Sequence, residues 1–228
     1  MSGYFIAGTD TGVGKTLIAT ALISRLVEAG QRVAAMKPVS AGCIRTSEGC
    51  LNDDVAQLRQ AANVTLPLDL INPYAFEPAI APHIAAQQVG VEIDLARIEQ
   101  AFRQIEVQAD TVIVEGVGGF LVPLNRKQTA ADMAQRLNLP VILVIGMRLG
   151  CLNHALLTVE AIQRRGIPLA GWIANRIDPD MLAFDANLAS LQARISAPLW
   201  GVIPPLRVKE NPISEEWFIQ FPSFNIVY

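Results

Sequence analysis

The chain has 228 residues, of which 51% are hydrophobic and 17% charged. That length suits one α/β domain or two very small ones, and the composition supports a sizeable core and argues against disorder. Eighteen Lys and Arg against 21 Asp and Glu give a net charge of −3, which leaves no basic surplus for gripping a nucleic-acid backbone.

Short apolar runs and amphipathic stretches alternate along the chain. Residues 4–7 form a first run, closed by the glycine-rich segment 8–14. A helical pattern follows over 15–29, with Leu17, Ile18, Ala21, Leu22 and Leu26 on one stripe and Gly30 as its stop. Further apolar runs lie at 33–36, 111–114, 141–145, 169–174 and 199–203, and helical patterns at 53–62, 95–109, 130–137, 152–165 and about 181–195. This is the pattern of βαβ units, and it predicts a single α/β domain over 1–228, a mostly parallel central sheet with helices on both faces. Few aromatics (6%) and an Ala, Val, Ile and Leu core point the same way. Gly8, Lys37, Glu115, Gly146, Asn175 and Pro204 follow the six runs, and ligands of open α/β sheets bind beyond those carboxyl ends.

Cys43, Cys50 and Cys151 are an odd set without CxxC spacing, beside only two histidines. They argue against a disulfide framework or a structural zinc site and fit a reducing cytoplasm. The longest strongly apolar stretch, 141–147, is far short of the roughly 20 residues of a membrane span. The segment Met1-Ser2-Gly3-Tyr4 lacks a basic region, so no secretory leader is expected.

Gly8-Thr9-Asp10-Thr11-Gly12-Val13-Gly14-Lys15-Thr16 fits the phosphate-loop pattern G-x-x-x-x-G-K-[ST]. Glycines let successive N–H groups turn inward onto phosphate oxygens, and the helix opening at Lys15 adds its free N–H groups and dipole. Lys15 reaches the β- and γ-phosphates and Thr16 ligates Mg²⁺. A chance match in such a chain is on the order of one per cent, and the strand before and helix after lower it further. The bland alternative is a glycine turn before a lysine. A second acidic group is needed on the metal. Glu115 ends the TVIV run, where such a carboxylate belongs. Asp54 either joins it or caps a helix, a role open equally to Asn52 or Asp53. Gly116, Val117, Gly118 and Gly119 offer further N–H groups, or simply a flexible turn. Lys37, on the strand next to the loop, supplies a second cation for phosphoryl transfer, or is merely a solvated strand-end lysine.

The segments GTDTGVGKT (8–16), MKPVSAG (36–42), LNDD (51–54), NPYAFEPAIAPHIAA (72–86), VEGVGGFLVPL (114–124), LPVILVIGMRLGCLNHALLT (139–158) and LAGWIANRIDP (169–179) together resemble the dethiobiotin synthetase family, over residues 3 to about 206. The resemblance implies a P-loop NTPase-like fold and ATP-dependent closure of the ureido ring of dethiobiotin from 7,8-diaminononanoate and CO₂. One amine becomes a carbamate, a carbamate oxygen takes the γ-phosphoryl group as a mixed anhydride, and the second amine expels phosphate. Mg²⁺ with ATP is implied, as is a homodimer, with neither nucleic acid nor membrane as partner.

Carried over by position, Lys37 contacts the carbamate and the transferring phosphoryl group. Gly12, Val13, Gly14, Lys15, Thr16 and Leu17 hold the phosphates, and Thr16, Asp54 and Glu115 gather the metal. Glu115, Gly116, Val117 and Gly118 line the phosphate site. Thr11 lies by the diamine. Asn175, with Arg176 beside it, reads the adenine amino group, and Pro204, Pro205 and Leu206 flank the purine. Gly150, Cys151 and Asn153 open a helix whose free N–H groups suit the substrate carboxylate, serving the partner subunit's site. Cys151 is otherwise a small buried thiol, and His83 and His154 are given no catalytic role. Relatives place a hydroxyl residue where this chain has Ala41, so either Ser40 takes over that contact or it is missing. The acidic residue that relatives use near the ribose falls near Glu210-Asn211, and the aromatic tail 213–228 packs on the core or at an interface.

Three rivals are weighed against this. A partition-type switch ATPase carries a second lysine early in its loop, where this chain has Asp10, an anion that would repel phosphate. An amidotransferase-type ligase acting on a corrinoid precursor needs a glutaminase domain that 228 residues cannot house. A pure nucleotide-binding module would leave Lys37 idle.

Overall fold

β1 (Ser2–Gly8) is the pivot of a computed structural model that describes residues 2–47 and 49–205. It leads through the glycine loop into α1 (Lys15–Glu28), then β2 (Val33–Met36). β3 (Val39–Ala41), the hairpin strands β4 (Ile44–Thr46) and β5 (Gly49–Leu51), α2 (Asp53–Ala61), α3 (Leu68–Ile71), β6 (Tyr74–Phe76) and α4 (Pro82–Gln88) follow. Regular alternation resumes with α5 (Leu95–Glu106), β7 (Thr111–Glu115), α6 (Ala130–Leu137), β8 (Val141–Gly146), α7 (Cys151–Arg164), β9 (Leu169–Asn175), α8 (Phe184–Gln192) and β10 (Leu199–Ile203).

Among the described residues the six predicted runs form one six-stranded sheet, in the order β10-β9-β8-β1-β7-β2, all parallel. Its strands are buried on both sides, which is why they read as unbroken apolar runs. The pleat sorts them by face. Phe5, Ala7, Val112, Val114, Leu143, Ile145, Trp172 and Ala174 pack against Ile98, Phe102, Met133, Leu137, Ala155 and Ile162 of α5, α6 and α7. Ile6, Ile113, Ile142, Val144 and Ile173 pack on the other face against Ile18, Leu22 and Leu26 of α1. Each such fully buried Leu or Ile contributes about 1.5–3 kcal/mol, so α1 is held by its apolar stripe and needs no side-chain cap at its start.

Parallel pairing sets all six carboxyl ends on one edge. The registers Ile6↔Glu115, Met36↔Val114, Gly8↔Val144, Gly146↔Asn175 and Ile203↔Asn175 fix that edge. Several predicted bounds shift. α5 stops at Glu106, α7 opens at Cys151, and α8 covers only 184–192. The sequence pattern did not announce β3 to β6, α3 or α4. β3 and β6 pair in parallel, and β4 and β5 antiparallel, as two small sheets beside the main one.

Candidate active site

The loop after β1 winds over the edge of the sheet with Gly12 at φ +74° and Gly14 at φ +92°. At Gly14 a side chain is excluded twice. Its backbone is left-handed, and a Cβ would stand 2.3 Å from Asn175 Nδ2. That amide donates to the Val13 carbonyl at 2.8 Å, so the end of β9 clasps the loop. The first amide of α1 bonded within the helix belongs to Ile18, which donates to the Gly14 carbonyl, leaving the N–H groups ahead of it for a ligand. Lys15 is buried, and its ammonium donates to the Asp10 carbonyl at 3.1 Å. Asp10 in turn accepts from the Thr11 amide and pairs with Arg148 after β8.

Beneath the loop lies a cavity of ≈ 680 Å³ whose walls include Thr11, Gly12, Gly14, Lys15, Thr16, Lys37, Ala41, Asp54, Glu115, Val117 and Gly118. Strand ends β1, β2 and β7 and the start of α2 therefore bring together the residues the sequence singled out for phosphate, metal and phosphoryl transfer. Lys37 Nζ stands 2.5 Å from Glu115 Oε1 and 2.8 Å from Asp54 Oδ2. The Thr16 hydroxyl donates to the same Glu115 oxygen at 2.9 Å. Asn52 Oδ1 accepts from the Asp54 amide and caps α2, so Asp54 is released from capping and its carboxylate faces Lys37.

Charge in this cluster follows from burial and pairing. Burial, with the Lys37 ammonium nearby, pulls Lys15 down to about 8. Burial would also depress Lys37, but the Glu115 and Asp54 carboxylates outweigh it and raise Lys37, so it stays charged. Burial opposes ionisation of Asp54, yet the Lys37 ammonium more than compensates and lowers it. Burial lifts Glu115 above the ordinary carboxylate range, and Lys37 draws it only part of the way back.

These donors suit a hard divalent cation. Glu115 Oε2 is buried without a hydrogen-bond partner, and hydroxyl and carboxylate oxygens are what Mg²⁺ prefers. Among the described residues no group of three or more His, Cys, Asp or Glu could hold a metal unaided. Two carboxylates and a hydroxyl fit Mg²⁺ that also takes ligands from phosphate and water.

Other sequence-singled residues lie elsewhere. Ser40 alternates with Ala41 along β3, so the two point to opposite faces. Ala41 reaches the cavity, whereas Ser40 is fully buried and donates to Asn72 Oδ1 at 2.8 Å. Ser40 is therefore not placed to take over the hydroxyl contact. The Gly116 amide is spent on the Ile6 carbonyl, which leaves the turn beyond it, Val117 and Gly118, at the cavity. Arg176 points its guanidinium at the Pro179 carbonyl and over the Phe184 ring. Pro204 and Pro205 follow β10 directly, and Leu206, Glu210, Asn211 and the aromatic tail lie outside the described residues. Gly150 and Asn153 are exposed and do not line this cavity, while the Cys151 side chain is buried and its amide donates to the Arg148 carbonyl. His83 borders a separate cleft with Asn125, and His154 a shallow one with Leu121 and Leu157. A cleft of ≈ 720 Å³ beside the β4–β5 hairpin, lined by Arg45, Tyr74, Glu77 and Arg97, contains none of the loop.

Sequence reasoning missed Asn72 and, beyond its place as a candidate cap, the second contact of Asn52. Asn72, 5% exposed, donates to the Lys37 carbonyl at 2.6 Å and to the Tyr74 carbonyl at 3.2 Å. Asn52 ties the Ala41 carbonyl to the start of α2. The available signal was Asn72 standing before Pro73 and Asn52 before two aspartates.

A family model described as an AAA domain matches residues 2–212. The chain is 57% identical over 201 residues to the ATP-dependent dethiobiotin synthetase BioD of Aromatoleum aromaticum, covering 88% of this chain and 89% of that protein. It is 52% identical over 202 residues to the protein of the same name from Nitrosospira multiformis, covering 89% and 88%. Among solved structures, the MinC:MinD cell division protein complex of Aquifex aeolicus aligns with a TM-score of 0.54 at 18% identity, covering 90% of this chain and 82% of that one. The signal recognition particle receptor FtsY of Elizabethkingia anophelis aligns at 0.50 and 14%, covering 91% of this chain and 60% of that one. At such identities these two speak for the P-loop fold alone.

Proposed function

The chain belongs to the dethiobiotin synthetase family, and from that premise we propose how its residues divide the work of ATP-dependent ring closure. The observation that carries the assignment is a second, buried lysine, Lys37, in one cavity with the loop lysine, Thr16 and two carboxylates. A switch ATPase needs the loop. A ligase that moves a phosphoryl group onto a carbamate also needs a cation on the acceptor side of the γ-phosphate.

Free amides of residues 15–17 and the Lys15 ammonium bind the phosphates. Asn175 spends its NH₂ on Val13, so its oxygen is the group left to accept from an adenine amino group. Pro204 and Pro205 flank the purine. Thr16, Asp54 and Glu115 hold Mg²⁺, which when bound neutralises charge across the phosphate oxygens. Lys37 orients the carbamate oxygen toward phosphorus and stabilises the charge that develops there. The second amine then attacks the carbonyl carbon and phosphate departs. Thr11 lies on the diamine side, and the hydroxyl contact that relatives make at position 41 is missing here.

The carboxylate end of the diamine is read by Gly150, Asn153 and the amides of Leu152 and Asn153, supplied by a partner subunit, the Cys151 amide being spent on the Arg148 carbonyl. Leu121, Leu149 and Leu157 are exposed apolar residues, and Leu121 and Leu157 line one cleft with His154, next in the chain to Asn153. A homodimer that buries this surface is the assembly we propose. Three free cysteines suit a reducing cytoplasm, and among the described residues no helix is long and apolar enough to cross a membrane.

Purified protein given MgATP, bicarbonate and 7,8-diaminononanoate should release phosphate and yield dethiobiotin by mass spectrometry. Hydrolysis that is indifferent to the diamine would refute the assignment. Mixed Lys37→Ala and Asn153→Ala chains should regain activity that neither has alone. No recovery despite demonstrated subunit exchange would refute the shared site.

A further inference from the structure

We propose that the Lys37 ammonium is a displaceable cation, holding the place between Asp54 and Glu115 that a divalent ion takes with nucleotide and yielding it only to a metal-bound triphosphate. This rests on the reading of residues 8–16, Asp54 and Glu115 as the MgATP site. Lys37 is 4% exposed and its nitrogen is within 2.8 Å of both carboxylates, at Asp54 Oδ2 and Glu115 Oε1. Glu115 Oε1 also accepts from Thr16. The groups assigned to the metal thus converge where one buried nitrogen already sits.

A Mg²⁺ ion held between Asp54 Oδ2, Glu115 Oε1 and the Thr16 hydroxyl would need the place that the ammonium fills. The two cations cannot share it. Among the described residues no lysine or arginine other than Lys15, which donates to the Asp10 carbonyl, lines the cavity with Lys37. Lys37 is therefore the cation that pairs the buried Glu115 carboxylate with the half-buried Asp54 one. Free metal would have to evict it and leave an ammonium buried without an anion, which is costly. A metal-bound triphosphate changes both halves of the exchange. The ion satisfies the carboxylates, and the γ-phosphate receives the ammonium, which the four-carbon lysine stem can swing across. Metal and nucleotide then favour each other's binding by the same factor, and the displaced ammonium arrives at the group to be transferred.

The test uses Mn²⁺ as probe, with free Mn²⁺ counted by electron paramagnetic resonance, on the full chain. Without nucleotide, Lys37→Met, close in shape but uncharged, should bind Mn²⁺ at least about tenfold more tightly than the wild type. Adding ATPγS should raise the Mn²⁺ affinity of the wild type more than that of Lys37→Met, by the reciprocity of coupling. Equal affinities of the two nucleotide-free proteins would overturn the proposal while leaving the MgATP site standing, provided the wild type binds Mn²⁺ with ATPγS. A wild type that fails to bind Mn²⁺ even with ATPγS would sink both. If circular dichroism shows Lys37→Met unfolded, the wild type decides. The ¹⁵N signal of the buried ammonium should move with Mg²⁺ and ATPγS together and stay put with Mg²⁺ alone. Movement with Mg²⁺ alone at matched ionic strength would overturn the displacement.

Discussion

Asn72 gives the sharpest check on how the site is supported. Replacing it by alanine removes one NH₂ donor shared by two carbonyls, at 2.6 Å from Lys37 and 3.2 Å from Tyr74, and one acceptor for the Ser40 hydroxyl. Ser40 can turn to Cys43 Sγ, 3.1 Å away, so its loss is small. The Lys37 carbonyl loses this donor at a side chain 5% exposed, whereas the Tyr74 carbonyl stays in the β3–β6 ladder. An unmet buried acceptor costs about 1–3 kcal/mol. Counting the shorter bond alone gives about 1–3 kcal/mol, a large share of the roughly 5–15 kcal/mol by which such a domain is stable. A water entering the gap would bring the loss toward the lower end. Asn72→Asp should cost more than Asn72→Ala, because a carboxylate would face both carbonyls with nothing to donate. Urea titration should show a lower midpoint with an unchanged slope. In the folded fraction, turnover should fall by about tenfold or more while nucleotide affinity holds, since the backbone that carries Lys37 loosens but the loop does not. A loss below about 1 kcal/mol, or an aspartate variant as stable as the wild type, would refute the view that the amide holds these carbonyls.

Gly14→Ala combines a left-handed backbone at φ +92° with a Cβ 2.3 Å from Asn175 Nδ2. It should lose about 2–4 kcal/mol of stability from strain and the broken Asn175–Val13 bond, and calorimetric titration should find nucleotide affinity down by more than about tenfold. Wild-type affinity would contradict the loop geometry. Lys15, drawn down to about 8 in the folded chain, binds fewer protons than its unfolded counterpart between about pH 8 and 10.5. Stability should therefore rise with pH across that window. Phosphate binding should restore the proton, giving uptake near pH 8 and little at pH 6.5 in calorimetry with buffers of different ionisation heat. Proton release at pH 8 would contradict it. Ala41→Ser should lower the KM for the diamine by about 2- to 10-fold, one added hydrogen bond, with kcat little changed. An unchanged KM would show that position 41 does not meet the substrate.

The six strands of the main sheet and the helices of its two faces were legible because each buries a continuous run or a stripe, and burial writes itself into composition. The small sheets were not. β4 exposes Ile44, Arg45 and Thr46 alike, and β3 and β6 have three residues each, too few for a period to declare itself. The loop, Lys37 and Glu115 could be read from where they follow strands. The role of Asp54 was left open between cap and metal, and it took the geometry to give the cap to Asn52. Ser40 and Ala41 could not be separated by reading, because which of two neighbours faces a cavity depends on the register of a strand that has no sequence signature. Asn72 was invisible for a related reason: its partners are main-chain carbonyls, which every residue possesses.

The strand order also governs when the site can come into being. Phe5 of β1 lies between Val114 and Val141, and β7 is wedged between β1 and β2. β1 thus has neither lateral neighbour until residues 111–146 have been made. Until then β1 and β2 present unpaired edges, the condition in which chains meet one another instead of themselves. A nascent chain halted before residue 111 would own every residue of the phosphate loop and yet have no neighbouring strand on which to build it.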